Sequence, residues 1–246
     1  MISANYHTHT TFCDGSDTPE AMVEAALRLG FASLGFSSHS DMLADPAAYR
    51  AEIRRLQAAY AGRLRILCGI EAEFGPAFCR MGYDYVIGSV HYVTAPDGAR
   101  VAVDDAPEAL HGGIAAHFGG DAEAFVKAYF ETERRMLATF DFDIAGHLDL
   151  VRKFNAKAPF FDESAPWYLG ELEATADALA ARGKIAEVNT GAIARGWLDD
   201  AYPSPEFRGL LRERGVRFIL SSDAHAVSQL AGAFDRFAAA EEFVLL

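Results

Sequence analysis

The segment Tyr6-His7-Thr8-His9 carries two histidines separated by a single residue, directly after a short extended run. In an extended strand, alternate side chains point to the same face, so both imidazoles of this segment can reach one metal ion. A His-X-His pair also occurs by chance. Its meaning therefore depends on which other residues the chain places beside it.

The same pattern, an apolar run that ends in a polar, metal-ligating residue, recurs six more times along the chain. The later endings are Ser37-Ser38-His39, Gly69-Ile70-Glu71, Ser89-Val90-His91, Ala145-Gly146-His147, Glu187-Val188-Asn189 and Ser222-Asp223-Ala224-His225. In a barrel of parallel strands, the C-terminal ends of all strands meet at one mouth. The pattern therefore predicts one site that is assembled from distant parts of the sequence.

Helix signals alternate with these strand-like runs. The predicted helices run from Thr18-Pro19-Glu20 to Gly30, from Pro46 to Tyr60, from Asp121 to about Phe140, from Glu163 to Arg182, from Ser204 to Arg214, and onward from Ser228. Strand and helix alternating through seven rounds predict an α/β fold with a parallel sheet and helices outside it. An open doubly wound sheet would fit this alternation too, but ligands at nearly every strand end favour a closed barrel.

Two segments do not follow the alternation. The stretch from Thr94 to Gly120 is rich in Gly, Pro and Asp, and we expect a long loop there, with or without a short helix, that covers the mouth as a lid. The final residues Phe243–Leu246 are apolar. They fit either an eighth strand or a tail packed on the barrel floor.

Length and composition indicate one domain that spans residues 1–246. The chain is 51% hydrophobic, which is enough for a full core, and it has no Ser/Pro-rich linker and no break in composition. No apolar stretch is long enough to span a membrane, and the N-terminal residues lack the features of a signal peptide, so we expect a cytoplasmic protein.

The net charge of −13 argues against nucleic acid or an anionic membrane as a partner, because phosphate-rich surfaces require a basic protein face. Cys13, Cys68 and Cys79 follow no C-x-x-C spacing, which argues against disulfides and structural zinc. The expected partner is a small molecule, and the sequence leaves the oligomeric state open.

Taken in order, the motifs resemble those of the PHP (polymerase and histidinol phosphatase) superfamily along essentially the whole chain. The matching motifs are His7-Thr8-His9 with Asp14-Gly15, Ser38-His39, Gly69-Ile70-Glu71, Gly88-Ser89-Val90-His91, Gly146-His147-Leu148-Asp149 and Ser222-Asp223-Ala224-His225. The strings at 147–154 and 187–190 look most like stand-alone histidinol-phosphate phosphatases. This resemblance implies a distorted (β/α)7 TIM-like barrel with a trinuclear metal centre at the C-terminal strand ends.

The resemblance also implies which residues bind the ions. The implied ligands are His7, His9, Asp14, His39, Glu71, His91, His147, Asp223 and His225. In the implied arrangement, Glu71 bridges two ions, and Glu73 is its competitor because both side chains point the same way from one strand. Cys13 stands beside Asp14, where the family often has Ser.

Nitrogen and oxygen ligands without sulfur suit zinc, manganese or iron, and the number of ligands calls for two to three divalent ions. Such a cluster predicts direct hydrolysis of a phosphomonoester by a metal-bridging hydroxide, with Asp223 or His225 as the acid for the leaving alkoxide. The family resemblance implies L-histidinol phosphate as the substrate and histidine biosynthesis as the pathway.

Basic residues near the strand ends are candidates for the substrate phosphate. Arg195 follows the sixth strand-like run and Arg152 follows the run that ends at His147, with Lys153 as the substitute if the register differs. The acidic residues Asp104 and Asp105 are candidates for the cationic part of histidinol phosphate.

Other functional interpretations stay open. One is a PHP phosphoesterase for another small phosphomonoester, a nucleotide or an oligonucleotide; a second is an amidohydrolase-like enzyme for C–N bonds, and a third is a metal-binding module without activity. His111 and His117 match no ligand motif. Asp41 and Asp149 follow ligand histidines by two residues, and either orient an imidazole or cap the next helix.

Overall fold

Seven parallel strands form the central sheet in the computed structural model, which describes residues 3–75, 77–237 and 243–246. Including two strands outside this sheet, the strands of the described residues are β1 (Ala4–Asn5), β2 (Ser33–Phe36), β3 (Arg65–Glu73), β4 (Tyr85–Ser89), β5 (Tyr92–Thr94), β6 (Arg100–Ala102), β7 (Ile144–Ala145), β8 (Ile185–Asn189) and β9 (Phe218–Ser221). Their order in the sheet is β1-β2-β3-β4-β7-β8-β9, and β5 and β6 form a separate antiparallel hairpin. Chain order and sheet order therefore agree, as in a barrel.

The sheet closes on itself just beyond the first and last strands. Thr8 and Ala224 form a parallel bridge, in which the amide of His9 donates to the carbonyl of Ala224 at 2.8 Å. The amide of Ala224 donates in turn to the carbonyl of His7 at 3.2 Å. The predicted distorted seven-stranded barrel is thus confirmed, and the open doubly wound sheet is wrong.

Helices connect most of the strands on the outside of the barrel. They are α1 (Pro19–Arg28), α2 (Pro46–Ala59), α3 (Pro107–His117), α4 (Ala122–Thr139), α5 (Pro166–Arg182), α6 (Gly191–Ala194) and α7 (Pro205–Glu213). Most of them begin with proline, which lacks the amide proton that a first helical residue leaves unpaired. The side chains of Thr18 and Asp121 accept hydrogen bonds from the first turns of α1 and α4.

Two of the predicted helices and one of the predicted strand–helix rounds differ from the structure. The described residues between β3 and β4 contain no helix, so one of the seven strand–helix rounds is missing. Helix α5 begins at Pro166, three residues after the predicted start at Glu163. The last helix is also wrong in the described part of the chain, where two short 3-10 turns, Val227–Gln229 and Phe234–Arg236, take its place. Residues 238–242 of that predicted helix lie outside the described residues.

The segment from 94 to 120 is more ordered than a long loop. It contains the second strand of the β5–β6 hairpin and the 11-residue helix α3, joined through Val103 and Asp104. The amide of Val103 donates to the carbonyl of His91 at 2.9 Å, which ties the segment to the end of β4. Ala102, Asp104 and Asp105 of this segment line the cavity at the mouth. That the segment acts as a lid stays a prediction.

The floor of the barrel is an apolar cluster inside the sheet. Its buried members are Ala4, Tyr6, Tyr85, Ile87, Ile144 and Ile219. A Cβ on Gly69 would lie 2.2 Å from Cζ of Tyr85, so this position must be glycine for the Tyr85 ring to enter the barrel. Val244 and Leu246 pack against the cluster from below, and the amide of Val244 donates to the carbonyl of Phe218 at 2.8 Å. The C-terminal residues are therefore a tail with one strand-like bridge.

None of the helices in the described residues is long and apolar enough to cross a membrane.

Candidate metal centre

His7 and His9 leave β1 at the mouth of the barrel and point inward. Between them, the hydroxyl of Thr8 donates to the carbonyl of Gly35 at 2.8 Å, which directs Thr8 to the other face. Both imidazoles are fully buried. The local alternation of an extended backbone is therefore enough to place these two side chains together, as the His-X-His spacing predicts.

One carboxylate, that of Glu71 at the end of β3, lies at the centre of five imidazoles. Its Oε2 lies 3.2 Å from His7 Nε2, 3.4 Å from His9 Nε2 and 2.9 Å from His39 Nδ1, and its Oε1 lies 2.8 Å from His147 Nε2 and 3.3 Å from His91 Nε2. The hydroxyl of Ser89 also donates to Oε1, at 2.7 Å. Glu71 thus has the central position that a bridging ligand needs.

Asp223 approaches the same cluster from the opposite wall, two residues after β9. Its backbone is left-handed (φ 51°), a conformation that Asp tolerates better than most residues. Its Oδ1 lies 3.2 Å from His9 Nε2 and 3.7 Å from His7 Nε2. On the other side, Arg195 Nη2 donates to Asp223 Oδ2 at 2.9 Å and Arg195 Nη1 to the Asp223 carbonyl at 3.0 Å.

A more open corner of the cluster lies toward the solvent. His225 Nε2 is 3.1 Å from Asp14 Oδ2, and His39 Nε2 is 3.7 Å from the same oxygen. The Asp14 side chain is 40% exposed, whereas that of Glu71 is 1% exposed. The candidate ligands thus form a row that begins deep in the barrel and ends at its surface.

The donor set fits bound divalent cations. Four overlapping groups each bring three or four ligand atoms within 4.8 Å of one another: His7-Glu71-His147, His7-His9-Asp223, His39-Glu71-His91 and His9-Asp14-His39-His225. Among the described residues, His7 Nε2, His9 Nε2 and Glu71 Oε2 are buried without a hydrogen-bond partner. Buried polar atoms that face one another without partners are typical of a site that binds an ion.

The pKa shifts of His9, Glu71 and Asp223 suit a bound cation. Burial, together with the positive charges of His39 and His225, lowers the pKa of His9 to about 3, so this imidazole is neutral and its lone pair is free. Burial alone would raise the pKa of Glu71, but the surrounding histidines lower it well below its usual range. The pKa of Asp223 is also lowered well below its usual range, because the charges of Arg195 and His7 outweigh the effect of burial. Neutral imidazoles and ionised carboxylates are the forms that bind metals.

The position of Glu73 distinguishes it from Glu71. Glu73 Oε2 accepts hydrogen bonds from His91 Nδ1 at 2.9 Å and from the His91 amide at 3.0 Å, on the side of the ring that faces away from Glu71. Glu73 belongs to none of the ligand groups in the described residues. It therefore supports a candidate ligand, while Glu71 occupies the centre.

Glu187 is a part of the site that the sequence motifs do not reveal. It is fully buried on β8, and its carboxylate accepts from His7 Nδ1 at 2.8 Å, from the His147 amide at 2.7 Å and from Ser221 Oγ at 2.6 Å. The sequence predicts Asn189 as the polar end of this strand. A glutamate two residues before Asn189, in an otherwise apolar run and on the same face, was the available signal.

A cavity of about 430 Å³ opens over the cluster. It is lined by Asp14, His39, Asp41, Met42, His91, Tyr92, Ala102, Asp104, Asp105, His147, Leu150, Lys153, Arg195, Asp223 and His225. Six of the nine predicted metal ligands line this cavity. The other three, His7, His9 and Glu71, are buried beneath it.

Arg152 is a correction to the predicted phosphate contacts. In the described residues it does not line this cavity; its Nε donates to Glu163 at 2.9 Å. Lys153 lines the cavity instead, and its Nζ donates to the carbonyl of Asp104 at 2.7 Å. The 3-10 turn Leu150–Arg152 directs consecutive side chains to different sides. A shift of one residue along the chain therefore decides whether Arg152 or Lys153 faces the mouth.

Several other candidate residues lie apart from the ligand groups. His117 pairs with Asp97 at 2.9 Å near the surface, and the His111 ring packs against Phe160. Asp149 accepts from the Ser204 amide at 2.8 Å, so it connects two loops and caps no helix with its side chain. Asp41 lines the cavity. Cys13 Sγ lies 3.6 Å from His9 Nδ1, on the far side of that ring from Asp223.

Comparison with protein families gives one match, the PHP domain, over residues 5–191. Among curated proteins, a probable histidinol-phosphatase of Deinococcus radiodurans is 31% identical, over 93% of this chain and 88% of its own length. The probable histidinol-phosphatase of Schizosaccharomyces pombe is 26% identical over 93% of this chain and 82% of its own length.

Comparison with solved structures supports the fold. The hisK protein from Listeria monocytogenes superposes with a TM-score of 0.84 at 20% identity, over 95% of this chain and 99% of its own. Histidinol phosphate phosphatase from Lactococcus lactis, solved with zinc, L-histidinol and phosphate, gives a TM-score of 0.67 at 21% identity, over 92% of this chain and 87% of its own.

Proposed function

The chain belongs to the PHP domain family, and from this premise we propose that it is a histidinol-phosphatase, which hydrolyses L-histidinol phosphate to L-histidinol and phosphate. The observation that carries the proposal is the convergence of the candidate ligands around Glu71, beneath a cavity lined by basic residues. Relatives that match most of the chain carry the name histidinol-phosphatase.

We assign the ions to the nine ligands His7, His9, Asp14, His39, Glu71, His91, His147, Asp223 and His225. Two to three divalent ions, zinc, manganese or iron, suit this nitrogen and oxygen set. When bound, such ions neutralise phosphate oxygens and make water a nucleophile at neutral pH. The zinc in the Lactococcus lactis protein supports zinc as the first metal to test.

Arg195 and Lys153 are the proposed contacts of the substrate phosphate. Both line the cavity, and the Arg195 guanidinium reaches it from its place on Asp223. A guanidinium and an ammonium on one side, with cations beneath, would enclose a phosphate group in positive charge. This places the leaving alcohol toward the remaining walls of the cavity.

Asp223 and His225 are the proposed residues beside the leaving oxygen. Both line the cavity, and His225 Nδ1 lies 2.9 Å from the Asp223 carbonyl. Burial lowers the pKa of His225, but hydrogen bonding to Asp14 and the charge of Asp223 raise it above its usual value. A ring nitrogen that binds an ion carries no proton, so His225 can act as the acid for the departing alkoxide only when it does not bind an ion; otherwise that role falls to Asp223.

The remaining walls of the cavity favour a cationic leaving group. Asp41 and Asp105 line it, while Asp104 is paired with Lys153 at 3.1 Å. Two carboxylates near the opening would attract the ammonium group of histidinol phosphate and repel the additional phosphates of a nucleotide. With the net charge of −13, this supports a small phosphomonoester and counts against nucleic acid as the substrate.

A phosphate-release assay tests the proposal. Histidinol phosphate is compared with a panel of sugar phosphates, mononucleotides and dinucleotides, and the metal content of the same preparation is counted. We expect kcat/KM for histidinol phosphate to exceed that for every nucleotide by more than about 100-fold. Comparable turnover of a nucleotide would favour a different PHP phosphoesterase, and a metal-free active preparation would contradict the mechanism.

The variants Asp105→Asn and Asp41→Asn sharpen the assay. Each should raise KM for histidinol phosphate and leave turnover of a phosphomonoester without a cationic group unchanged, because only the substrate with the ammonium group loses an attraction. The conservative control is Asp162→Asn, an exposed residue whose carboxylate accepts hydrogen bonds from Ser164. An equal loss on both substrates would assign these aspartates to structure.

A further inference from the structure

Glu187 makes more hydrogen bonds than any role in sheet packing requires. Its carboxylate receives the ring of His7, the amide of His147 and the hydroxyl of Ser221, and Asn189 Nδ2 donates to Oε1 at 2.8 Å. These donors come from strand ends that are far apart in sequence. A buried charge of this kind is stable only when it is surrounded by donors.

The contact with His7 determines which ring nitrogen carries the proton. An ionised carboxylate only accepts hydrogen bonds, so His7 Nδ1 must donate to Glu187 at 2.8 Å. In the neutral ring, which is the form that binds a metal, the other nitrogen, Nε2, carries the lone pair and lies 3.2 Å from Glu71 Oε2 and 3.7 Å from Asp223 Oδ1. Glu187 thus aims the unprotonated nitrogen of His7 at the two candidate carboxylate ligands.

Glu73 does the same for His91 in a different environment. Its Oε2 accepts from His91 Nδ1 at 2.9 Å, which leaves His91 Nε2 directed to Glu71 at 3.3 Å. However, Glu73 Oε1 has no hydrogen bond within the described residues, and Arg100 Nη2 lies 3.5 Å from it. Arg100 is 50% exposed, and the two residues line an outer cavity of about 260 Å³.

The two carboxylates therefore hold their histidines with different strength. Glu187 is enclosed on all sides by protein donors, so its orientation is fixed before any ion binds. One oxygen of Glu73 lies beside a solvent-accessible cavity, and its charged neighbour there is the half-exposed Arg100. A pre-oriented ligand loses less conformational entropy when the ion binds, and an anionic partner increases the basicity of the coordinating nitrogen.

We propose that Glu187 and Glu73 are positioning residues that give the ions of the metal centre different affinities. The ion at His7 is bound more tightly than the ion at His91. The ranking rests on the proposed function, since it needs the nine ligands to bind ions. The ranking also predicts the order in which the ions are lost. A chelator should remove the ion at His91 while the ion at His7 stays bound.

The experiment compares Glu187→Gln with Glu73→Gln in the metal-loaded protein. Gln has nearly the same shape as Glu, but it removes the negative charge and replaces one acceptor oxygen with an NH2 donor. Zinc affinities are measured by competition with a chromophoric chelator, and the imidazole ¹⁵N shifts of His7 and His91 report which ring loses its ion. For the loss of such a partner, a decrease of about 10–100-fold in metal affinity is expected.

We expect Glu187→Gln to weaken the tightest zinc step and to change the His7 resonances, and Glu73→Gln to weaken a looser step and change those of His91. Ser221→Ala, which removes one donor from Glu187 and keeps its charge, should give a smaller change at His7. It also keeps the proposal testable if Glu187→Gln does not fold. The melting temperature of the metal-free proteins separates a folding defect from a change in affinity.

Three results would overturn the ranking. They are unchanged zinc affinity in both Gln variants, an equal weakening of all zinc steps in either variant, and loss of the His7 ion before the His91 ion in the wild-type protein. A wild-type protein that binds no divalent ion would instead contradict the proposed function, so the two failures are distinguishable.

Discussion

Ile219 lies in the apolar floor of the barrel and Asp223 at its mouth, only four residues apart on and just after β9. The same relation holds directly after β1, where Tyr6 belongs to the floor and His7 to the candidate metal centre. At both places the chain thus changes from apolar floor residues to candidate ligands within four residues. The floor supplies packing energy, while the mouth concentrates charges whose burial must be offset by hydrogen bonds or ions.

This division separates stability from activity along a single strand. Buried isoleucines and tyrosines can be changed with an effect on folding alone, because their contacts are made below the ligands. We expect changes of the proposed ligands to affect catalysis more than folding, because their side chains lie above the packed floor. Substitutions at either end therefore test whether the two regions are independent.

The largest expected effect is that of Asp223→Asn at the mouth. Loss of this carboxylate removes a proposed metal ligand, and loss of an outer partner alone costs about 10–100-fold, so we expect kcat to fall by more than about 100-fold. Circular dichroism should show an unchanged helical signal. If the variant kept most of its phosphate-release activity, the assigned metal centre would be wrong.

The second effect is that of Ile219→Ala at the floor. Removing this buried side chain leaves a cavity, which should lower the free energy of unfolding by about 2–5 kcal/mol in urea denaturation. Turnover by the folded fraction should stay within about twofold of the wild type. Leu245→Ala is the control, because Leu245 is 63% exposed and should change stability little. A large decrease in kcat would show that the floor and mouth are coupled.

The smallest effect concerns a buried acid that belongs to neither region. Burial raises the pKa of Glu133 on α4 to about 8, and Tyr129 donates to its Oε1 at 2.6 Å. The folded protein therefore retains a proton that the unfolded chain loses above its usual pKa of 4.5. Stability should decrease as pH rises toward 8, by up to about 1.4 kcal/mol per pH unit for this group.

Glu133→Gln removes this titration and keeps an acceptor for Tyr129. The variant should gain stability relative to the wild type as pH rises from 6 to 8.5, measured by urea denaturation at each pH. Exposed Glu131 on the same helix supplies the control substitution Glu131→Gln. A difference between variant and wild type that does not change with pH would show that Glu133 is already ionised at pH 6.

The sequence predicts the barrel and the proximity of the candidate ligands because both follow local rules. Alternating side chains pair His7 with His9, and apolar runs that end in Glu71 or His91 identify the mouth. The starts of α2 and α4 follow from Pro46 and from the capping side chain of Asp121. In each case the deciding interactions lie within a few residues of the pattern.

Predictions that need packing information are less successful. The last helix predicted from Ser228 is replaced by 3-10 turns in the described residues, because the chain there packs back against the barrel and does not extend. The connection between β3 and β4 has no helix in the part that the structure describes. Amphipathic periodicity does not indicate where a segment turns back.

By itself, the amino-acid sequence determines the order of strands, the closed parallel barrel and the set of side chains that can bind ions, since strand alternation and terminal ligands are local properties. Only the tertiary structure decides that Lys153 and not Arg152 faces the cavity, and that Glu187 orients His7. The direction of a side chain after an irregular turn, and the neighbours of a buried carboxylate, depend on contacts between strands that are distant in sequence.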